Sequence, residues 1–105
     1  MEQKAYVICA DWGEYDDYTQ IPMFVCYMQM EAELFVEALC KQEQPYWEKI
    51  EDYFLWSRYG IHIADLVNVK DQEAADMRKY CIPHDIGFSY KELDVLTLIQ
   101  HRQNT

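Results

Sequence analysis

The chain has 105 residues, of which half are hydrophobic and 15% aromatic, and its net charge is −10 at pH 7. Because disordered chains are poor in aromatic residues, we expect residues 1–105 to fold as a single domain with a real core. The negative charge argues against direct contact with DNA or RNA and against an anionic membrane surface. No stretch approaches the roughly 20 apolar residues that span a bilayer. The N-terminal residues do not form the apolar leader that would indicate secretion, so we expect a cytoplasmic protein of a bacterial host.

The charge is distributed unevenly along the chain. Residues 1–52 contain 12 Asp or Glu and 3 Lys, a balance of −9, whereas residues 53–105 contain 7 acids and 6 Lys or Arg, a balance of −1. Between Lys4 and Lys41 there are seven carboxylates and no Lys, Arg or His. A small domain usually mixes both signs over its surface. This pattern therefore predicts a negative patch whose natural partner is a basic protein surface.

The N-terminal third has the pattern of a β-hairpin. Residues 4–10 are rich in β-forming residues and predict a strand, and residues 21–29 predict a second one. Residues 11–20 between them contain turn formers and acids. Two strands so close in sequence usually pair in antiparallel fashion. Pro22 cannot donate a hydrogen bond to a sheet, so it belongs at a strand start or on an edge.

Two helices are predicted next. Residues 30–43 have the spacing of one buried stripe, formed by Leu34, Phe35, Ala38 and Leu39. Pro45 separates this helix from a second one at 46–57. The second helix is expected to bury Trp47, Ile50, Phe54 and Ser57 and to expose an acidic side with Glu48, Glu51 and Asp52. Gly60 is a plausible helix stop.

The C-terminal half is less clearly patterned. Residues 61–69 fit either a strand or a helical turn, and residues 71–80 predict a helix. Residues 88–100 are ambiguous, although the run 95–99 favours a strand. We therefore expect an α+β domain with an N-terminal antiparallel β-hairpin, two to four helices and a further C-terminal strand.

Few residues indicate catalysis or a metal. Without a secretion signal, Cys9, Cys26, Cys40 and Cys81 are expected to be reduced thiols packed in the core. The alternative is a structural metal site, whose ligands would be Cys81 and His84 together with Cys9 and Cys26. Calcium in the acidic segment is a further alternative, although the segment does not match an EF-hand loop. No nucleophile motif or glycine-rich phosphate loop is present, so we expect no cofactor, no metal and no enzymatic activity.

Segment 11–18 sets carboxylates among aromatic rings. Its candidate partner-binding residues are Asp11, Trp12, Glu14, Tyr15, Asp16, Asp17 and Tyr18, with Glu31, Glu33 and Glu37 of the first helix as secondary candidates. One interpretation is a solvated hairpin tip, with Trp12 and Tyr15 folded back onto the sheet. The other is a contact surface, because Trp and Tyr anchor interfaces and carboxylates pair with Arg or Lys of a partner.

The N-terminal part of the chain resembles a strand–acidic turn–strand–helix unit of uncharacterised small bacterial and phage proteins. The segments that carry the resemblance are residues 6–18, the strand 24–27 and the helix 32–39. The resemblance covers residues 5–40. As a whole, the short, acidic, motif-free chain is similar to phage-encoded anti-defence inhibitors, notably anti-CRISPR proteins. That resemblance implies an inhibitor that occupies the basic nucleic-acid-binding groove of a Cas nuclease, or of a similar enzyme, and blocks access of DNA.

The alternative hypothesis is a regulatory or adaptor domain without nucleic-acid mimicry. Such a domain would form a homodimer, or bind another protein, through its second helix. Aromatic and apolar residues outside the predicted buried stripe of that helix would form the contact, namely Tyr46, Tyr53, Leu55 and Trp56.

Overall fold

A three-stranded antiparallel sheet forms the base of the computed structural model, which describes residues 3–94. The strands are β1 (Lys4–Trp12), β2 (Thr19–Cys26) and β3 (Gly87–Asp94), in the order β2-β1-β3. The described residues therefore confirm the α+β class, the N-terminal hairpin and a further strand near the C-terminus. Of the segment predicted at 88–100, residues 95–100 lie outside the described residues.

The hairpin extends further than the sequence pattern predicts. β1 continues to Trp12, which pairs with Thr19 of β2. Asp11 and Trp12 are therefore strand residues and not part of the connecting turn. Pro22 lies opposite Cys9 on β2, an edge strand, as its missing N–H requires.

Three α-helices follow β2 within the described residues: α1 (Gln29–Cys40), α2 (Tyr46–Tyr59) and α3 (Asp71–Tyr80). The ambiguous segment 61–69 contains a 3₁₀ helix, Ile63–Asn68. Gly60 ends α2 in the left-handed conformation, with φ of 70°, and its N–H donates to the carbonyl oxygen of Trp56 at 2.9 Å. α1 packs on the core face of the sheet, α2 packs against α1 and contacts the sheet through Phe54 and Trp47, and α3 packs against α2.

The core lies between that face and the helices. The largest fully buried side chains are Ile8 of β1, Leu39 of α1, and Ile50 and Leu55 of α2. Burying each such side chain contributes about 1.5–3 kcal/mol, so the two longest helices and the central strand hold the domain together.

The opposite face of the sheet carries Val7, Cys9 and Asp11 of β1. Lys91 of β3 lies on this face, and its Nζ donates to Oε1 of Gln20 on β2 at 2.8 Å. Because β1 runs between those two strands, the Lys91 side chain crosses over Cys9. This crossing shields the centre of the face that is opposite to the helices of residues 3–94.

The predicted helix faces are wrong at four residues. Leu34, placed in the buried stripe of α1, is 56% exposed, and Ser57 of α2 is exposed as well. Conversely, Leu55 is completely buried, and Glu51, placed on an acidic outer side, is only 6% exposed. A stripe of i, i+1, i+4, i+5 residues is wider than the contact that a single neighbour makes, so tertiary packing decides which edge is buried.

Candidate functional site

The turn between β1 and β2 has a defined backbone conformation. In this acidic turn, which comprises residues 13–18, the amide of Asp17 donates to the carbonyl of Glu14 at 2.9 Å, and Tyr18 donates to Tyr15 at 3.1 Å. Gly13 adopts a φ of 88°, and a Cβ added there would stand 2.3 Å from the carbonyl oxygen of Asp17. Only glycine fits this position, so the sequence itself specifies how the turn folds.

The side chains of the acidic turn point into solvent. Glu14, Asp16 and Asp17 are exposed, and their carboxylates form no ion pair or side-chain hydrogen bond with residues 3–94. Tyr15 is 94% exposed and Tyr18 is 54% exposed. The turn therefore presents three free carboxylates and two aromatic rings together, as the contact interpretation requires.

Tyr15 also has an unusual backbone. Its φ is 51°, in the left-handed region that bulky residues rarely adopt. Such a conformation costs on the order of 1 kcal/mol and persists where its surroundings impose it. Here it directs a large ring away from the sheet, which contradicts the interpretation in which Tyr15 folds back and agrees with the alternative of a contact surface.

Trp12 does fold back, and this removes it from the candidate surface. Its ring meets that of Phe54 edge-to-face, with centroids 5.4 Å apart and planes at 73°. It belongs to the partly buried shell of the core. Trp12 therefore holds the hairpin against α2 and is not available as an anchor for a partner.

Asp85 adds a carboxylate that the sequence analysis did not include. Its Oδ2 accepts a hydrogen bond from the amide of Gly13 at 2.8 Å. Asp11 lies beside the same loop, since its Oδ1 is 2.9 Å from where a Cβ on Gly87 would be. The acidic turn and Asp85 thus form one acidic edge. The signal in the sequence was an acid in a loop marked by Pro83 and Gly87, but its position beside the turn is a tertiary feature.

Glu31, the first of the secondary candidates on α1, lies at the other end of the sheet. Glu31 is close enough to Cys26 to raise the pKa of that thiol, after burial, which is the larger cause. Cys26 pairs with Tyr6, whereas the acidic turn follows Trp12. Six residues of strand separate Tyr6 from Trp12, which is about 20 Å. The structure therefore does not bring Glu31 to the acidic turn.

Two of the α1 carboxylates have partners within the domain. Glu33 accepts a hydrogen bond from the hydroxyl of Tyr90 at 3.3 Å. Glu37 pairs with Lys41 at 2.8 Å, and this hydrogen bond lowers the pKa of the Glu37 carboxyl. Glu33 and Glu37 thus behave as ordinary residues of a solvated helix face.

Exposed apolar residues surround Glu31 at the corner between β2 and α1. This corner patch consists of Tyr27, Met28, Met30 and Leu34, all more than half exposed. On α1, Met30 and Leu34 are one turn apart and lie on the same face. Such a patch is the kind of surface that contacts other proteins.

The aromatic surface expected on α2 is smaller than predicted. Leu55 is buried, and Tyr46 packs edge-to-face on Phe35, with centroids 5.0 Å apart. Tyr53 and Trp56 remain exposed, and the Trp56 ring stacks on His62 at 4.9 Å. Of the four residues proposed for a helix-mediated dimer, two are therefore occupied inside the domain.

The cysteines form no metal site with residues 3–94. No group of three or more His, Cys, Asp or Glu side chains in that range is arranged to hold a metal ion. Cys9, Cys26 and Cys81 are buried, and burial raises the pKa of each thiol. Cys40 is exposed, which corrects its predicted place in the core.

Comparison of the chain with protein-family models, with curated proteins and with solved structures found no match to any of them. Among residues 3–94, no helix combines the length and hydrophobicity needed to cross a bilayer. The described residues define a small α+β domain with two separate exposed surfaces, the acidic edge and the corner patch.

Proposed function

We propose that this protein is an acidic inhibitor that binds the basic nucleic-acid-binding groove of a nucleic-acid enzyme, such as a CRISPR nuclease, and blocks access of DNA. The observation that carries this function is the acidic turn. It projects three exposed carboxylates and the ring of Tyr15 from a turn with a hydrogen-bonded backbone.

The charge of the turn suits a basic groove. Groove residues that hold nucleic acid are Arg and Lys, and they read phosphates and base edges through charge-assisted hydrogen bonds. Asp16 and Asp17 can accept those hydrogen bonds, and Asp85 adds a further carboxylate beside the turn. Complementary charge also accelerates association, and this acceleration falls as salt is added.

The backbone of the turn supports the same function. A hairpin that served only to connect two strands would not need a bulky residue in the left-handed region. At Tyr15 this conformation holds the ring outward, where it can fill a pocket on a partner at a low entropic cost. The hydrogen bonds within the turn and to Asp85 limit the freedom that binding would remove.

The test is inhibition of DNA cleavage by a panel of guide-loaded Cas nucleases and unrelated DNA enzymes, with co-purification of each. For a sensitive enzyme, we expect inhibition by the double variant Asp16→Lys/Asp17→Lys to be weaker than that by the wild type by a factor of about ten or more. The salt dependence of binding should also become shallower.

The matched control is Glu43→Lys/Glu73→Lys, which changes the net charge by the same amount at two exposed sites away from the turn. We expect it to inhibit within about twofold of the wild type, because charges beyond about 8 Å are screened at physiological salt. Equal loss in both variants would show that net charge, and not the acidic turn, determines binding. If no enzyme in the panel were bound or slowed, the inhibitory function would be wrong.

A second candidate function is that of an adaptor that dimerises or binds a protein without mimicking nucleic acid. The corner patch is the observation in its favour, because its four apolar side chains are exposed together. Sedimentation equilibrium distinguishes this function: a homodimer that Leu34→Lys dissociates would support it, and a monomer at all concentrations would contradict dimerisation.

A further inference from the structure

A cleft of about 870 Å³ lies between α2 and the segment that leads from α3 to β3. Its volume is within the range of sites that bind small molecules. The cleft is lined by residues of 42–58 and 75–86, so it does not include the acidic turn.

The charge of this cleft is opposite to that of the protein as a whole. Arg58, Arg78 and Lys79 line it, together with His84, whereas Glu51 is its only carboxylate among the described residues. Arg78 and Glu51 neutralise each other through two hydrogen bonds. Arg58 and Lys79 therefore leave the cleft with a positive charge, in a chain with a net charge of −10.

Arg58 and Lys79 each contact Tyr80, and these contacts hold the two side chains in place without neutralising their charge. Arg58 donates from Nη1 to the carbonyl oxygen of Tyr80 at 3.2 Å, which spans the cleft from α2 to α3. The Lys79 ammonium lies 5.4 Å from the centre of the Tyr80 ring. No carboxylate among residues 3–94 forms an ion pair with Arg58 or Lys79.

The rest of the lining is largely apolar, with Trp47, Ile82, Pro83 and Ile86. Trp47 also meets Phe88 of β3 edge-to-face, with centroids 6.0 Å apart, which fixes its ring in the cleft wall. An apolar wall with a few convergent charged groups is typical of a site for a small amphipathic ligand.

We infer that this cleft binds a small organic anion. Its carboxylate or phosphate head group would interact with Arg58 and Lys79, and its apolar or aromatic body would lie against Trp47 and Ile86. Glu48 is a further carboxylate that acts on a cleft residue, since it contributes to raising the pKa of Arg78, and charges farther than about 8 Å away are screened at physiological salt.

The inference is tested by titrating the ¹⁵N-labelled full chain with phenylacetate, phenyl phosphate and the neutral phenylacetamide, following amide and indole signals. We expect at least one anion to shift signals of residues 75–86 and the Trp47 indole, with a dissociation constant on the order of 1 mM. Phenylacetamide should bind about tenfold more weakly. The ratio of the dissociation constants of phenylacetate and phenyl phosphate shows which head group the cleft prefers.

Arg58→Gln and Lys79→Gln should each weaken binding of the anion about tenfold. Lys49→Gln is the control, since it removes a charge from the exposed side of α2 outside the cleft and should change binding by less than about twofold. The inference is overturned if neither anion binds, if the shifts map elsewhere, if the amide binds equally well, or if all three variants behave alike.

Discussion

The guanidinium of Arg78 on α3 donates two hydrogen bonds to the carboxylate of Glu51 on α2, one of 3.0 Å from Nε and one of 2.9 Å from Nη2. Glu51 is almost fully buried, whereas Arg78 is about one-third exposed. The hydrogen bond to Glu51 raises the pKa of Arg78, so the guanidinium stays charged throughout the ordinary pH range. This pair joins α3 to the rest of the core.

We predict that Arg78→Met destabilises the domain by about 3 kcal/mol, because it leaves the Glu51 carboxylate buried without a partner. The double variant Glu51→Met/Arg78→Met should be less destabilised than Arg78→Met alone, since it removes both charges. Urea unfolding measures the free energy of unfolding of the wild type, of Arg78→Met, of Glu51→Met and of the double variant. If the double variant lost as much stability as the two single variants together, the two side chains would not be coupled, and the ion pair would contribute nothing to stability.

Two glycines with left-handed backbones allow a matched comparison. Gly13→Ala should cost about 2 kcal/mol or more, because the new Cβ would stand 2.3 Å from the Asp17 carbonyl oxygen and the backbone is strained as well. Gly60→Ala meets no atom within 4 Å and should cost only about 1 kcal/mol. Thermal unfolding followed by circular dichroism compares them. An equal cost at both positions would mean that the acidic turn relaxes around the new methyl group.

Substitutions at Trp12 and at Tyr15 should distinguish a residue that stabilises the fold from one that serves binding. We predict that Trp12→Ala destabilises by about 3 kcal/mol through the lost contact with Phe54. Tyr15→Ala should change stability by less than about 0.5 kcal/mol, since the ring is exposed. Tyr15→Asn should even stabilise slightly, because Asn tolerates a positive φ.

The same variants are informative in the inhibition assay. If Tyr15 anchors a partner, Tyr15→Asn should weaken inhibition while leaving the fold at least as stable as the wild type. A stable Tyr15→Asn variant with unchanged inhibition would rule out that role for the ring.

The four thiols should react at two different rates. Cys40 is exposed, whereas Cys9, Cys26 and Cys81 are buried and have raised pKa values. In the native protein at pH 8, we expect one thiol to react rapidly with a disulfide reagent and three to react slowly, with all four reacting rapidly in urea. Mass spectrometry identifies the labelled residue, and rapid labelling of Cys81 would contradict its burial.

The thiol pKa values also determine the direction of a pH effect. For the three buried cysteines the folded pKa lies above the unfolded one, so their contribution to stability is complete below the unfolded pKa. It is lost as the pH rises through the folded value, because the unfolded chain releases its protons first. Stability measured by urea should therefore fall as the pH is raised above the ordinary cysteine pKa of 9.0.

Local patterns in the sequence determined much of this protein. The β-forming run at 4–10, the turn residues after it and the helical spacing at 46–57 were sufficient to predict a hairpin followed by helices, because these signals act between near neighbours. Gly13 determined the shape of the acidic turn in the same way. The distribution of charge was also readable, since it requires only counting.

Only the tertiary structure decided which residues share a surface. It buried Trp12 against Phe54 and Glu51 beneath Arg78, and it placed Asp85 on the amide of Gly13. It also placed Glu31 at the opposite end of the central strand from the acidic turn. Each outcome depends on contacts between residues far apart in sequence, and such contacts follow from how the helices dock on the sheet. The sequence by itself therefore indicated an acidic protein, and the packing determined which carboxylates form its acidic edge.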